Sequence, residues 1–181
     1  TMPKNRSELF RPIALFVSMI PFGLCLYLFT NTKSKGSYID IDTINWIQSY
    51  GINLTFGISG MSLLLLFLTA ILTLLSFFSV TEKYSQSKGF IGSILVLHFA
   101  VNGVFLSGDL LSLFIFFEAL LIPMYFLMGI WGGENKRYAT IKFIIYTVFG
   151  SVFIFIGTVY AGVISYSSTG RLALDFITLS S

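Results

Sequence analysis

The residue with the most unusual chemical setting is Glu118, a carboxylic acid inside the apolar stretch LFIFFEALLIP at 113–123. An acid near the middle of a membrane helix costs about 2.5–3.5 kcal/mol on insertion scales, so its side chain should face the interior of a helix bundle. A carboxyl held between a dry environment and a nearby cation changes its charge when the cation moves, which is proton-transfer or ion-transfer chemistry. The alternative is a neutral glutamic acid that only joins helices. Pro123, five residues later, frees a backbone carbonyl and permits a kink, which is either functional or architectural.

Lys142 opens the last apolar block of the chain. Either it extends to the lipid headgroups, as lysines near helix ends do, or it takes part in ion transfer. Tyr146, Gly150 and Gly157 follow at helical spacing, and we interpret them together with Lys142 as an inward-facing stripe that allows close helix contact.

Two further candidates precede Glu118. His98 and Asn102 lie one helical turn apart as a polar stripe, and the histidine is either a titrating group or a packing residue with satisfied hydrogen bonds. Asp109 follows Gly108 and is expected to cap the next helix, with a role in proton transfer as the alternative.

Hydroxyl side chains share one face of an earlier apolar block: Ser62, Thr69, Thr73 and Ser76. Such hydroxyls usually bond to carbonyls of their own helix. The same face is also suited to an ordered file of water.

The composition identifies a membrane protein. Of the 181 residues, 55% are hydrophobic and 10% are charged, whereas soluble domains have about 25% charged residues. One His, one Cys and scattered carboxylates cannot form a closed metal site. The chain has no phosphate-binding loop or dinucleotide fingerprint, so we expect it to bind neither NAD nor ATP, and we expect no nucleic-acid binding.

The predicted fold is an all-α integral membrane protein with five transmembrane helices. A helix needs about 20 apolar residues to cross the bilayer, and the blocks that qualify are 11–30, 61–80, 89–107, 108–131 and 139–166. The remaining segments are a tail at 1–10, a loop at 31–60 that includes a short hairpin, loops at 81–88 and 132–138, and a tail at 167–181.

The basic residues predict an orientation. The N-terminal tail, the 81–88 loop and the 132–142 region share one side and hold eight of the 11 Lys and Arg residues. By the positive-inside rule, the N-terminus faces the matrix or cytoplasm and the C-terminus faces the intermembrane or outer side.

The motif DLLSLFIFFEALLIPMYFLMGIWG at 109–132, followed by KRYATIKFIIYTVFGSVFIFIG at 136–157, resembles subunit 4 of respiratory complex I, an antiporter-like subunit of the proton-pumping NADH:ubiquinone oxidoreductase. The resemblance covers about residues 50–165. It implies the N-terminal part of a fourteen-helix subunit. In that family the glutamate at the Glu118 position pairs with a lysine on a later, broken helix, and a basic residue also occurs at the Lys142 position. That later helix is not among these residues, so we expect the lysine on a second polypeptide of a split subunit.

The resemblance further implies that the chain couples electron transfer from NADH to quinone with proton pumping, as a subunit without a redox centre. FMN and iron–sulfur clusters are expected in partner subunits, and the expected partners are the other membrane-arm subunits and lipids, with cardiolipin a candidate. The expected location is the mitochondrial inner membrane, with a bacterial plasma membrane as the fallback. Two alternatives remain open: a subunit of a multi-subunit cation/proton antiporter, and a purely structural membrane-arm fragment.

Overall fold

The structure is a computed structural model that describes residues 10–31, 40–47, 52–79, 87–169, 174 and 176. Its elements, in chain order, are α1 (Phe10–Asn31), β1 (Asp40–Ile47), β2 (Ile52–Ile58), α2 (Gly60–Ser79), α3 (Lys88–Leu106), α4 (Leu110–Trp131) and α5 (Lys136–Thr169). The predicted fold with five apolar helices is confirmed.

All five helices are long and apolar enough to cross a membrane, with mean hydropathies of 1.9 to 2.4. Few of their residues are buried within the chain, and large apolar side chains such as Phe16, Phe78 and Phe153 are more than half exposed. A helix that is apolar all round is typical of a membrane span, where lipid or further protein covers the outer faces. The protein is therefore a multi-pass membrane protein.

The helices pack in chain order, α1 on α2, α2 on α3, α3 on α4 and α4 on α5, with α1 also touching α3. Two small apolar clusters join the first three helices. One contains Ala14, Phe77 and Ile91, and the other contains Cys25, Leu63 and Leu66.

The two strands form an antiparallel hairpin that pairs Asp40 with Ile58 and Ile44 with Leu54, with a bulge between Asn45 and Ile47. The hairpin contacts the α3–α4 turn, because Gly108 N–H donates to Thr55 O at 2.7 Å. Gly108 suits this approach, since a Cβ there would lie 3.1 Å from the Thr55 backbone oxygen. Phe176 N–H also donates to Gly108 O at 3.1 Å. We call this end of the bundle the hairpin side.

The opposite end, which we call the basic side, carries the starts of α1, α3 and α5. The basic residues of these described helix starts are Arg11, Lys88, Lys136, Arg137 and Lys142. The helix starts are consistent with alternation of the five spans between the two sides.

The helices begin and end within three residues of the expected bounds. The largest difference is in α5, which begins at Lys136 instead of 139 and ends at Thr169 instead of 166. Hydropathy places a bound where the polar residues begin, but a helix continues through Lys and Arg, which have good helix propensity. The expected tails and the 81–88 loop lie mostly outside the described residues.

Candidate functional site

Glu118 lies deep in the bundle. It follows Leu110, the first residue of α4, by eight positions and precedes Trp131, the last, by thirteen. At 1.5 Å per residue these intervals are about 12 Å and about 20 Å. The carboxyl is therefore far from both ends of a 22-residue helix that has no other acidic or basic residue.

Contacts between α4 and α5 show which helix Glu118 faces. Phe114 packs its ring 5.2 Å from that of Phe155, and Gly129 directs its Cβ position to within 3.7 Å of Thr140. Residues 114, 118 and 129 share one face of α4, because they are four and eleven positions apart. Glu118 therefore lies on the face that packs against α5.

The same two contacts fix the register of the antiparallel pair. In an antiparallel pair of helices, the numbers of two residues at the same level have a constant sum. The sum is the same for 114 with 155 and for 129 with 140, and it places Ser151 level with Glu118. Ser151 is buried, and its hydroxyl donates to the carbonyl of Val148 at 2.9 Å. The residue of α5 level with Glu118 is thus small and polar.

One oxygen of the Glu118 carboxyl has no partner among the residues that the structure describes. This oxygen, Oε1, is buried and makes no hydrogen bond to them. A buried ionised carboxylate without a partner costs several kcal/mol, so the charged form would need a cation or a hydrogen-bond donor from outside the described residues.

The helix itself is altered next to Glu118. Pro123 is fully buried inside α4. Proline has no N–H, so the carbonyl of Ala119, four residues earlier, loses its helical hydrogen bond. This free carbonyl is one residue from Glu118.

Lys142 does not approach Glu118. It is exposed, and the α4–α5 register places it level with Leu127, nine residues and about 13 Å along the helix from Glu118. Its Nζ lies 5.6 Å and 5.9 Å from the ring centroids of Tyr138 and Tyr146. This arrangement is a pair of cation–π contacts at the basic side.

The stripe predicted through Lys142, Gly150 and Gly157 does not pack against the other described helices. Both glycines are exposed, and a Cβ at either position would meet no atom within 4 Å. The face of α5 that packs on α4 instead carries four buried hydroxyl residues, Thr140, Ser151, Thr158 and Ser165. Hydroxyls such as that of Thr158 donate to a carbonyl of their own helix, so they pack as small side chains.

His98 is 7% exposed and has a partner at each ring nitrogen. Nδ1 lies 2.8 Å from the hydroxyl of Thr73 on α2, and Nε2 lies 3.1 Å from Nδ2 of Asn102. The hydroxyl of Thr73 also donates to Thr69 O at 2.9 Å. The hydroxyl face of α2 therefore meets the polar stripe of α3.

Asp109 is the N-cap of α4, and its side chain is 1% exposed. One carboxylate oxygen accepts from Ser112 N–H at 2.7 Å, and the other accepts from the Ser112 hydroxyl at 2.8 Å. The second oxygen also accepts from the backbone N–H of Thr55 on β2. Asp109 therefore joins the hairpin to the start of the helix that holds Glu118.

The four candidates from the sequence are thus not brought into one cluster. Glu118 faces α5, His98 contacts α2, Asp109 lies at the hairpin side and Lys142 lies at the basic side. The sequence analysis did not predict the roles of Thr55 and Ser112, although Ser112 follows Asp109 at the spacing typical of a cap partner. Among the described residues no group of three metal-ligating side chains occurs. The arrangement provides an isolated carboxyl suited to holding a proton or pairing with a cation.

Comparison with known proteins shows which proteins this chain is similar to. Residues 107–181, which include the Glu118 helix, match the family model described as NADH:quinone oxidoreductase/Mrp antiporter, transmembrane region. The chain is 36% identical over 170 residues to NADH-quinone oxidoreductase subunit M of Rickettsia felis, covering 91% of the chain and 33% of that protein. It is 33% identical over 157 residues to NAD(P)H-quinone oxidoreductase chain 4 1 of Nostoc, covering 86% and 29%.

Among solved structures, the chain is similar to a chain of respiratory complex I from Thermus thermophilus with bound NADH. The TM-score is 0.77 at 25% identity, covering 93% of this chain and 34% of that one. The chain spans about a third of the length of the curated relatives it matches.

Proposed function

We propose that this protein is an antiporter-like, proton-translocating subunit in the membrane arm of an NADH:quinone oxidoreductase. The observation that carries the proposal is the deep carboxyl of Glu118, whose Oε1 is buried and has no hydrogen-bond partner in the part of the chain that the structure describes. A membrane acid in this state is expected to serve ion or proton transfer. The homology to subunit M and chain 4 proteins supports the choice of complex.

In the proposed mechanism, Glu118 alternates between pairing with a cation and holding a proton. Redox energy released in partner subunits drives the change, while this chain binds neither NADH nor quinone. FMN and iron–sulfur clusters would belong to those partners. The free carbonyl of Ala119 and the hydroxyl of Ser151, which lies level with Glu118 on α5, provide further hydrogen-bonding groups near the carboxyl.

The cation would be a lysine outside these 181 residues. It is carried either by a continuation of this chain or, as we expected from the sequence, by a second polypeptide of the same subunit. The intact mass of the subunit in the purified complex distinguishes the two. A mass near 20 kDa together with a second homologous chain would support the split arrangement.

The proposed location is the mitochondrial inner membrane, with the basic side in the matrix and the hairpin side in the intermembrane space. The positive-inside rule supports this orientation. Lipids, with cardiolipin a candidate, would cover the exposed apolar faces of the helices.

The experiment is Glu118→Gln in the assembled complex. Because Gln cannot ionise, NADH-driven proton pumping in reconstituted vesicles should fall strongly while the complex still assembles. The matched control is Glu134→Gln, since Glu134 is an exposed acid in the α4–α5 turn. Full pumping by an assembled Glu118→Gln complex would contradict the proposal.

A second candidate function is that of a subunit of a cation/proton antiporter, because the matching family includes Mrp antiporters. Purification of the native complex distinguishes this candidate. Flavin and iron–sulfur absorbance that co-purifies with the chain supports the oxidoreductase, and a flavin-free complex supports the antiporter. If the chain were purely structural, Glu118→Gln would change assembly or nothing, and not pumping alone.

A further inference from the structure

A groove of about 650 Å³ runs along the bundle next to His98. Its floor is α3, and its walls are α2 on one side and Leu127 of α4 on the other. It begins at Ser79 and Phe90, at the basic-side ends of their helices, and reaches Thr69, ten residues deeper on α2. Ten helical residues span about 15 Å, which is half of the membrane core.

The groove has a polar edge along its length. Thr69, Thr73, Ser76 and Ser79 line it from α2, and His98 lines it from α3. The first three hydroxyls donate to carbonyls of their own helix, which leaves their oxygen atoms able to accept hydrogen bonds from water. The rest of the lining is apolar, so the row of acceptors on α2 is the side of the groove that water would follow.

His98 lies at the deep end of this polar edge, between two groups that can each donate or accept. A threonine hydroxyl turns about its C–O bond, and the amide of Asn102 presents either its nitrogen or its oxygen by rotation. The imidazole can therefore carry a proton on either nitrogen, or on both, and keep both hydrogen bonds. A site that served packing alone would need to fit one protonation state only.

Asn102 lies behind His98 and outside the lining of the groove. Its Oδ1 is buried and has no hydrogen-bond partner among the described residues. If the amide rotates, its nitrogen takes the same place and lacks a partner in turn. A buried polar atom left in this way is normally satisfied by ordered water.

The ionisable groups on the helices around His98 do not supply an alternative proton donor. The described part of α2 has none, α1 contributes Arg11 in its first turn, Cys25 and Tyr27, and α4 contributes Tyr125 and Glu118. The face of α4 that carries Phe116 packs against α3, because Phe116 contacts Gly103 and Phe99. Glu118 is two residues further on and lies on the opposite face of α4.

We infer that this groove admits water from the basic side, and that His98 takes up and releases protons through that water. A hydronium ion in the groove gives a proton to the Thr73 oxygen while the Thr73 hydroxyl, turned from Thr69 O, passes its own proton to the unprotonated Nδ1, which leaves water in the groove. The reverse transfer returns the proton, and Asn102 keeps its hydrogen bond to Nε2 throughout. The direction of exchange, from the matrix, rests on the orientation proposed above.

The test uses single cysteines in the intact complex, on a Cys25→Ala background, in sealed vesicles of both orientations. Ser76→Cys places a thiol in the groove, and Leu75→Cys places one on the neighbouring exposed apolar face outside it. A membrane-impermeant methanethiosulfonate reacts with the thiolate, which requires water. We expect Ser76→Cys to react from the basic side at least about tenfold faster than Leu75→Cys. A difference of one unit in the pKa of the two thiols changes the fraction present as thiolate about tenfold.

Equal and slow reaction of the two thiols would overturn the inlet and would indicate that lipid fills the groove. Reaction of Ser76→Cys from the hairpin side alone would also overturn it. The thiol at 76 could also react from the side where Lys136 is accessible while that side faces away from the matrix. The proposed orientation would then be wrong, and the water inlet would stand. Neither result depends on pumping, so this test is separate from that of Glu118.

Deuterium uptake at the imidazole carbon between the nitrogens tests His98 directly, because that exchange requires a doubly protonated ring in contact with water. His98 is the single histidine of the chain, so the labelled peptide is unambiguous. We expect measurable uptake in the wild-type complex and several-fold less after a bulky thiosulfonate has blocked Ser76→Cys. No uptake in the unblocked complex would overturn the proton-exchange role.

Discussion

His98 and Glu118 lie at the same depth of the bundle, on opposite sides of α4. His98 is eight residues before the end of α3, and Glu118 is eight residues after the start of α4. Both are therefore about 12 Å from the turn that joins these helices. These two titratable groups therefore meet different neighbours, since His98 contacts α2 and Glu118 lies on the face of α4 that packs against α5.

The contact between His98 and Thr73 predicts a stability effect. Thr73→Val removes the hydroxyl and leaves Nδ1 of a buried imidazole unpaired, which costs about 1–3 kcal/mol. Thr69→Val is the matched control, because the hydroxyl of Thr69 bonds to the Leu65 carbonyl of its own helix. Thermal unfolding of the purified complex should show the larger loss for Thr73→Val, and equal losses would argue against the His98 contact.

The buried carboxylate of Asp109 predicts a graded series. Asp109→Ala removes the cap of α4, which costs about 0.5–2 kcal/mol, and also leaves the N–H of Thr55 without its acceptor, at about 1–3 kcal/mol. Asp109→Ser retains a capping oxygen but is too short to bridge to the hairpin. We therefore expect assembled complex to decrease in the order wild type, Asp109→Ser, Asp109→Ala on native gels. The same level for Ser and Ala would mean that capping contributes little.

Gly103 provides a test of the α3–α4 packing. A Cβ at this position would overlap the ring of Phe116, and overpacking of this kind costs about 1–3 kcal/mol. Gly157→Ala is the control, because a Cβ there meets open space, and in a helix Ala is favoured over Gly by about 0.5–1 kcal/mol. The melting temperature should fall for Gly103→Ala and stay level or rise for Gly157→Ala.

Lys142 should have little direct effect on proton transfer. Its ammonium contacts two tyrosine rings at the basic side and lies about 13 Å along the helix from the level of Glu118. Lys142→Gln is expected to retain most NADH-driven pumping and to lose about 0.5–1 kcal/mol of stability with the cation–π contacts. Loss of pumping comparable to that of Glu118→Gln would instead place Lys142 on the proton path.

Two exposed acidic residues can be used to test which face of the membrane each loop occupies. Glu134 lies in the α4–α5 turn, and Asp42 lies on β1. Cysteines at these positions should react with an impermeant thiol reagent from opposite faces of a sealed vesicle. Reaction of both from one face would exclude the five-span arrangement.

Features set by local sequence were accessible without the structure. Apolar length indicated five spans, and the Ser-Gly-Asp turn with its helix cap at Asp109 follows from residues next to each other in the chain. Glu118 was identifiable because an acid in an apolar run is energetically unusual wherever its helix packs.

The contacts between helices were not accessible in this way. Gly150 and Gly157 recur at the same helical period as Ser151 and Thr158, and both sets are small, so periodicity could not indicate which face of α5 meets α4. The hydroxyl residues can form that face because each bonds to a carbonyl of its own helix. The pairings of His98 with Thr73 and of Asp109 with Thr55 depend on helix placement, which no local pattern encodes.

The hydrogen bonds at the α3–α4 turn hold one end of α4 only. Asp109 and Gly108 attach the start of the helix to β2, and Glu118 lies between this attachment and Pro123. If α4 bends at the proline, the arm that swings is 124–131 and the carboxyl remains stationary. Any lengthening or shortening of the gap between Glu118 and a cation must then come from displacement of the helix that carries the cation.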